Sequence, residues 1–465
     1  MFKAFYPFPE TGMIKTTKPF RDFRTKKIAL KSLSMILLSI AISCQQSDGP
    51  INADDDSDAS FSISKSQTAR ETTPVPACVL AEQTASINTF SLRMYQQLCS
   101  REQGNIFFSP YSIVAALGMT DAGARGKTMD EIREALSVTL EGDSLHAALN
   151  GLDLSLTGHT RSTDGITLNV VNTTWVQTGM TFIPEYLDLL ARYYGAGVNL
   201  LDFGAEPEPS RIIINTWVAD QTNQRIKDLL LPGTISSATM LVLTNAIYFL
   251  ADWLNQFDAG LTRDENFTKL DSTVVSVPLM QLGETGKMVT MMYGRQGNAC
   301  AIDLPYKGNR LCMTVILPDN GAFDAFQSSL TVQNITSLIG TLDSTALPPV
   351  RLPKFKFTSG SISLVTALKA LGMTAAFSPG SADFSGIFGT RNIYVSDVIH
   401  KAFISVDEKG TEAAAATAVI FDRTSDPLPT FIANRPFIFV IRETPYSPRQ
   451  IFLFQLTSRN PGALL

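Results

Sequence analysis

The chain has 465 residues, of which 45% are hydrophobic and 17% charged, and a net charge of −5. Its mean hydropathy is +0.09. These values exclude a wholly disordered, collagen-like or disulfide-dense protein. An acidic chain is a poor polyanion binder, so nucleic acid is not an expected partner. Only His146, His159 and His400 are present, too few for a His-rich metal site, and no cofactor is expected.

Within the first 43 residues, eight Lys and Arg oppose only Glu10 and Asp22. Lys26, Lys27 and Lys31 precede the apolar run Leu33 to Ile42. Ten residues cannot span a hydrocarbon core about 30 Å thick, so the run reads as a signal h-region. It ends Ala41-Ile42-Ser43-Cys44, which looks like a bacterial lipobox with Cys44 acylated; Met13 is an alternative start. Residues 1–43 therefore read as a lipoprotein signal peptide, and the expected location is the outer membrane, facing the periplasm or the cell surface.

Residues 44–77 lack periodicity and contain Asp54-Asp55-Asp56-Ser57-Asp58, so they read as a disordered acidic tether. The tether includes Ser62-Ile63-Ser64-Lys65, an S-x-x-K match. That chemistry needs a rigid lysine beside its serine, which a tether does not supply. Residues 78–465 read as one folded domain, with no second low-complexity break.

Cys78, Cys99, Cys300 and Cys312 follow with no C-x-x-C spacing, which argues against zinc. Whether Cys78 and Cys99 pair is left open. A hairpin is expected at Tyr306–Asn309 with Lys307 and Gly308 at its tip. Asp303, rather than Cys300, would then face Cys312, leaving two buried thiols.

Ile87, Phe90, Met94 and Leu98 predict a helix capped by Thr84 or Ser86. Ser109-Pro110 predicts a cap and first turn ahead of Ile113, Leu117 and Gly118. Gly123-Ala124-Arg125-Gly126-Lys127-Thr128 resembles a phosphate loop, but Asp121 replaces its first glycine and repels phosphate. A tight helix–helix turn is the better reading. Pro184 predicts a helix carrying Leu187, Leu190, Ala191 and Tyr194. Strands are predicted at Leu168–Trp175, Leu241–Phe249, Ala301–Leu304 and Leu311–Leu317. Helices cluster early and strands late, which argues α+β with a large, mostly antiparallel sheet.

Glu408-Lys409-Gly410-Thr411-Glu412-Ala413-Ala414-Ala415-Ala416-Thr417-Ala418-Val419-Ile420 is the most informative stretch. It reads either as an Ala-rich helix capped by Thr411 or as a segment that changes state. In strand spacing Thr411, Ala413, Ala415, Thr417 and Val419 share one face, while Glu412 points away. Phe421 to Pro429 has no periodicity and reads as an exposed loop.

The chain here resembles the serpin family, over nearly all of residues 80–462. The resemblance is carried by Asn105-Ile106-Phe107-Phe108-Ser109-Pro110-Tyr111-Ser112-Ile113, Leu243-Thr244-Asn245-Ala246-Ile247-Tyr248-Phe249 and Ala382-Asp383-Phe384-Ser385-Gly386. His400-Lys401-Ala402, the Glu408–Thr417 stretch and Ala433-Asn434-Arg435-Pro436-Phe437 complete it. Phe249-Leu250-Ala251 and Leu456 depart from the family pattern, outside the hinge.

The resemblance implies an α+β fold of three sheets and about nine helices, with an exposed reactive loop at about residues 408–430. It implies a suicide-substrate inhibitor of serine proteases that traps the acyl-enzyme one-to-one by inserting its loop as a strand. Glu408, Gly410, Thr411, Glu412, Ala413, Ala414, Ala415, Ala416 and Thr417 map to the hinge. Ser109, Ser112, Asn245 and His400 map to the shutter, and Glu408 with Lys354 to an ion pair at the top of the sheet. The scissile bond is expected at Thr424–Ser425, or at Arg423–Thr424.

Arg423 suits trypsin-like proteases, Thr424 elastase-like or subtilisin-like ones, and Phe421 a chymotrypsin-like one. The alternative is a non-inhibitory serpin acting as a binding protein or chaperone. No G-x-S-x-G is present and no catalytic residue is expected, so the protein is not read as an enzyme. Gly142 to Gly158 holds no Lys or Arg, so no heparin-type cofactor is expected, and the chain is read as a monomer.

Overall fold

A computed structural model of the chain describes residues 61–102, 104–157, 166–391, 393–409, 429–444 and 452–458. Among them, ten α-helices and three sheets build an α+β fold. One seven-stranded sheet holds β1 (Ser62–Ser64), β2 (Ile166–Gln177), β3 (Val198–Leu201), β4 (Leu241–Ala251), β5 (Phe355–Thr358), β6 (Ile362–Ser363) and β7 (Asp397–Val406). Their lateral order is β1-β3-β2-β4-β7-β5, with β6 also on β7. A second seven-stranded sheet centres on Ala299–Pro305, Leu311–Pro318 and Phe437–Glu443. A three-stranded sheet joins Arg263–Thr268, Val274–Leu282 and Val350–Pro353.

Burial on both faces explains the composition of β4, where the run Leu241 to Phe249 is wholly buried. One face packs into the main core, and the other forms a separate apolar cluster with Trp175, Ile214, Val218 and Phe403. Two-faced burial favours a continuous apolar run over alternation.

The first half of the chain supplies the helices α1 (Ala77–Cys99), α2 (Pro110–Asp121), α3 (Ser144–Thr157), α4 (Pro184–Leu189) and α5 (Pro207–Gln221). Ser109 caps α2 as expected, its Oγ accepting from the Ser112 amide at 3.2 Å. By contrast, α1 begins two turns before Thr84 and Ser86, so neither is its cap. Their hydroxyls donate to the Leu80 and Glu82 carbonyls inside the helix. Cys78 and Cys99 lie at opposite ends of α1. At about 1.5 Å per residue they are roughly 30 Å apart, far beyond a disulfide. The helix opened by Pro184 changes after Leu189 into a π-helical turn, Leu190–Tyr194, closed by Gly195 at φ 64°.

Two further expectations are corrected. Residues 61–76 belong to the body and not to a loose tether: β1 pairs Ile63 with Asn199, and Glu71 is tied to Arg192. A short edge pairing and a few ion pairs order this polar segment, and neither leaves a hydrophobic periodicity. The hairpin after Pro305 has its tip at Lys307–Gly308 as expected, the Asn309 amide donating to the Tyr306 carbonyl at 2.9 Å. The Tyr306 amide, however, donates to the Leu311 carbonyl, so four residues and not two separate the paired strands, with Gly308 and Asn309 at φ 80° and 52°. The register shifts accordingly, so Cys312 faces Pro305 and Cys300 faces Leu317.

Both thiols are buried and unpaired. Burial raises both, Cys312 to about 12, which leaves them unreactive. The turn Ala122–Arg125 is filled by its neighbours rather than open for phosphate: a Cβ on Gly123 would lie 2.0 Å from Ile387 Cγ1. Thr128 Oγ1 is likewise occupied, accepting the Asp383 amide at 2.9 Å.

The second sheet encloses an ion pair. Arg442 donates to Asp303 at 2.7 Å, and the two side chains are 0% and 4% exposed. Thr314 bridges them. Asp303→Ala would leave Arg442 charged and unpaired, and should cost about 3–5 kcal/mol. Urea unfolding of the variant against wild type measures this.

Candidate functional site at the parallel seam

β4 and β7 run parallel from the Val242–Asp397 pair to the Phe249–Ile404 pair, inside a mostly antiparallel sheet. A chain that left the end of β7 and folded back between these strands would be antiparallel to both. It would replace one parallel ladder by two antiparallel ones, which are slightly more stable per residue.

A polar row crosses the middle of this seam. Asn172 on β2, Asn245 on β4 and His400 on β7 are direct register partners. Ser109, Ser112, Asn245 and His400 are fully buried, so each must find partners inside the protein. The Ser109 amide donates to His400 Nε2 at 3.3 Å. His400 Nδ1 therefore carries the proton and donates to Asn245 Oδ1. Asn245 Nδ2 donates to the Ser112 carbonyl at 2.8 Å and its Oγ at 2.7 Å, and it also meets Asn172 Oδ1. The expected shutter residues thus form one network at the N-terminus of α2, joined by Asn172.

The C-terminal end of β7 is stapled separately. Glu408 accepts from Lys354 Nζ at 2.6 Å and from Thr262 Oγ1 at 2.8 Å. Burial raises the Glu408 carboxyl, but these bonds outweigh it and hold the carboxyl below its ordinary value. Trp253 Nε1 donates to the Asp407 carbonyl, the Phe257 amide to that of Glu408 and Gln256 Nε2 to that of Lys409. Trp253 is itself stacked on Tyr306, with ring centroids 4.6 Å apart. The chain is described again from Pro429, and Phe431 and Ala433 bond the backbone of Arg351, three residues before Lys354. Both ends of the intervening stretch are therefore held close together in the chain, at Arg351 and Lys354.

The sequence reading missed Asn172, Trp253, Gln256 and Thr262. Asn172 carried a signal as a polar break in an apolar strand. Trp253 and Gln256 act on the backbone of a remote segment and Thr262 on its Glu408 carboxylate, which leaves no local pattern. Gly410, Thr411, Glu412, Ala413, Ala414, Ala415, Ala416, Thr417, Arg423, Thr424, Ser425 and Cys44 lie outside the described residues.

The family model described as Serpin (serine protease inhibitor) matches residues 85–454. The chain belongs to the serpin family. An uncharacterized serpin-like protein of Thermococcus kodakarensis is 39% identical, over 77% of this chain and 82% of that one. Human Serpin B4 is 36% identical, over 76% of this chain and 94% of that one. The leukocyte elastase inhibitor of Xenopus tropicalis is 35% identical, over 76% and 93%. Among solved structures, the thermophilic serpin tengpin in its native state superposes with a TM-score of 0.71. It is 28% identical, with 84% of this chain and 97% of that one covered.

Burial lowers His400 from 6.5 to about 3 in this serpin, so the network holds a neutral imidazole. When the strands part or the chain unfolds, the ring regains its ordinary value. The open form then binds the extra proton, and stability of the closed seam is lost as pH falls below 6.5. The slope approaches about 1.4 kcal/mol per pH unit. Urea unfolding between pH 5 and 7 should show this slope (about one proton) in wild type and a smaller one in His400→Asn.

Proposed function

We propose that this serpin inhibits serine endopeptidases by presenting residues 408–430 as bait and inserting the cleaved hinge between β4 and β7. The observation that carries this reading is the parallel seam, which a returning strand would fill, with the hinge starting at the end of β7. A protease serine attacks the loop and forms an acyl-enzyme. Insertion then competes with deacylation and drags the protease along the sheet. Thr411, Ala413, Ala415 and Thr417 would present small side chains to the buried face, and Glu412 would stay wet.

Cleavage is assigned to Thr424–Ser425, with Arg423–Thr424 as an adjacent second bond, giving elastase-like, subtilisin-like and trypsin-like targets. The similarity to a leukocyte elastase inhibitor supports protease inhibition as the class of activity. We further propose that Cys44 is lipidated and anchors a monomeric inhibitor to the outer membrane.

Mixing with trypsin and with elastase, followed by a denaturing gel, should give a stable one-to-one complex with each. Thr411→Arg places a charge on the inserting face, where desolvation costs several kcal/mol. It should be cleaved without trapping. Trapping at wild-type stoichiometry would refute insertion, and absence of any wild-type complex would favour the binding-protein alternative.

Arg423→Ala should remove the trypsin complex and spare the elastase complex, with mass spectrometry of the released peptide fixing the bond. For the anchor, fatty-acid labelling should mark wild type and not Cys44→Ser; equal labelling would refute it.

A further inference from the structure

Segment 61–71 lies across one flank of the body and grips it at both ends. Phe61 meets the edge of Trp175 with ring centroids 5.3 Å apart, and Trp175 meets Trp217 of α5 at 5.5 Å. Trp175 Nε1 donates to Thr244 Oγ1 of β4 at 2.9 Å. Nearer α1, Arg70 donates to Asn150 Oδ1 at 3.0 Å and to Asp153 Oδ2 at 2.5 Å, both on α3. Asp153 accepts in turn from Tyr111 Oη at 3.1 Å, next to Ser112, which bonds Asn245. Two separate routes thus end on adjacent residues, Thr244 and Asn245. These pair with Ile399 and His400 across the seam.

Between the two grips, the segment crosses a boundary within the body. β1 pairs with β3, Thr68 donates to Asp188 of α4 at 2.9 Å, and Glu71 is tied to Arg192 at 3.0 Å. If the seam opens, β4 must leave β7 together with β2, β3 and β1, which are laddered to it. Arg70 and the Glu71 carbonyl are fixed instead to α3. That helix packs on α1, which also contacts the helix Val365–Ala370 following β6. The segment therefore joins strands that must move to α3 and, through α1, to the helix that follows β6.

We infer that residues 61–71 are a strap that restrains β4 against β7 and sets the rate at which the sheet opens. This rests on the proposal that the seam opens to admit a strand. The strap works without blocking the seam. Each contact it makes must break or follow when β4 moves, which raises the barrier to opening. Its contacts are individually modest, an edge-on aromatic pair and a partly exposed ion pair. Removing either should speed opening by about threefold to tenfold.

The test uses the full-length chain and a labelled peptide of residues 410–423, followed by native gel. Phe61→Ala and Arg70→Ala should each take up the peptide faster than wild type. The double variant should be about tenfold faster or more. Leu338→Ala controls for loss of stability alone, because this buried residue sits on a helix against the second sheet. It should not accelerate uptake when urea unfolding shows a comparable loss.

A double variant within twofold of wild type, or equal acceleration by Leu338→Ala, overturns the strap. Trypsin trapping by wild type keeps the two failures apart. If wild type traps trypsin and the double variant gains no rate, the strap alone is wrong. If wild type traps nothing and takes up no peptide, the opening proposal falls and the strap falls with it.

Discussion

Two parallel strands side by side near the centre of a largely antiparallel sheet are the constraint around which the rest of this molecule is arranged. Neither β4 nor β7 is reached from the other by a short connection, so their pairing depends on everything folded between them. β4 is buried on both faces, whereas β7 is buried on one and only partly on the other, at Asp397, Lys401 and Ser405. On the face that carries Asn245 and His400 the two strands are otherwise apolar, and the exception is the Asn172–Asn245–His400 row. Buried amide and imidazole groups are costly unless every partner is present, so this row is satisfied only in one register. It selects the closed sheet more by the cost of mispairing than by the strength of any one bond.

The middle and the end of β7 are held by different physics. At its middle a neutral imidazole is locked in one tautomer by a backbone amide and an asparagine oxygen. At its C-terminal end a carboxylate with a 10% exposed side chain meets a lysine that is 44% exposed, supported by backbone bonds from Trp253 and Gln256. The first interaction responds to acid through burial. The second rests mainly on hydrogen bonds, because a half-exposed ion pair is screened by water and salt. A segment departing from Lys409 therefore leaves a firmly held base.

Much of this was legible from residues alone where local chemistry and position coincide. Ser109-Pro110 announced the start of α2 because a hydroxyl cap followed by proline has few other uses. Asn245 stood out as a polar interruption of an apolar strand, and its burial then required partners. Lys354 and Glu408, far apart in sequence, were matched through family resemblance and meet at 2.6 Å. The start of α1 was misplaced because Ala77 to Gln83 has no apolar periodicity and helix formers carry it. The hairpin tip was placed correctly, but Cys312 pairs with Pro305 and not Asp303, because turn residues do not reveal how many further residues the loop holds. Only the ladder register showed it.

The sequence by itself determined the class of fold, the family and two residues of the buried polar row, Asn245 and His400, because these depend on apolar runs, caps and ordered motifs. Tertiary structure decided which strands are parallel neighbours, since strand order follows from long-range packing that no window of residues contains. It also decided that residues 61–76 belong to the body. That segment is held by one short edge pairing, an aromatic contact and ion pairs to partners roughly 80 to 140 residues away. Contacts of that kind leave no trace in local composition. Their physical basis is the surface that the rest of the chain presents once it has folded.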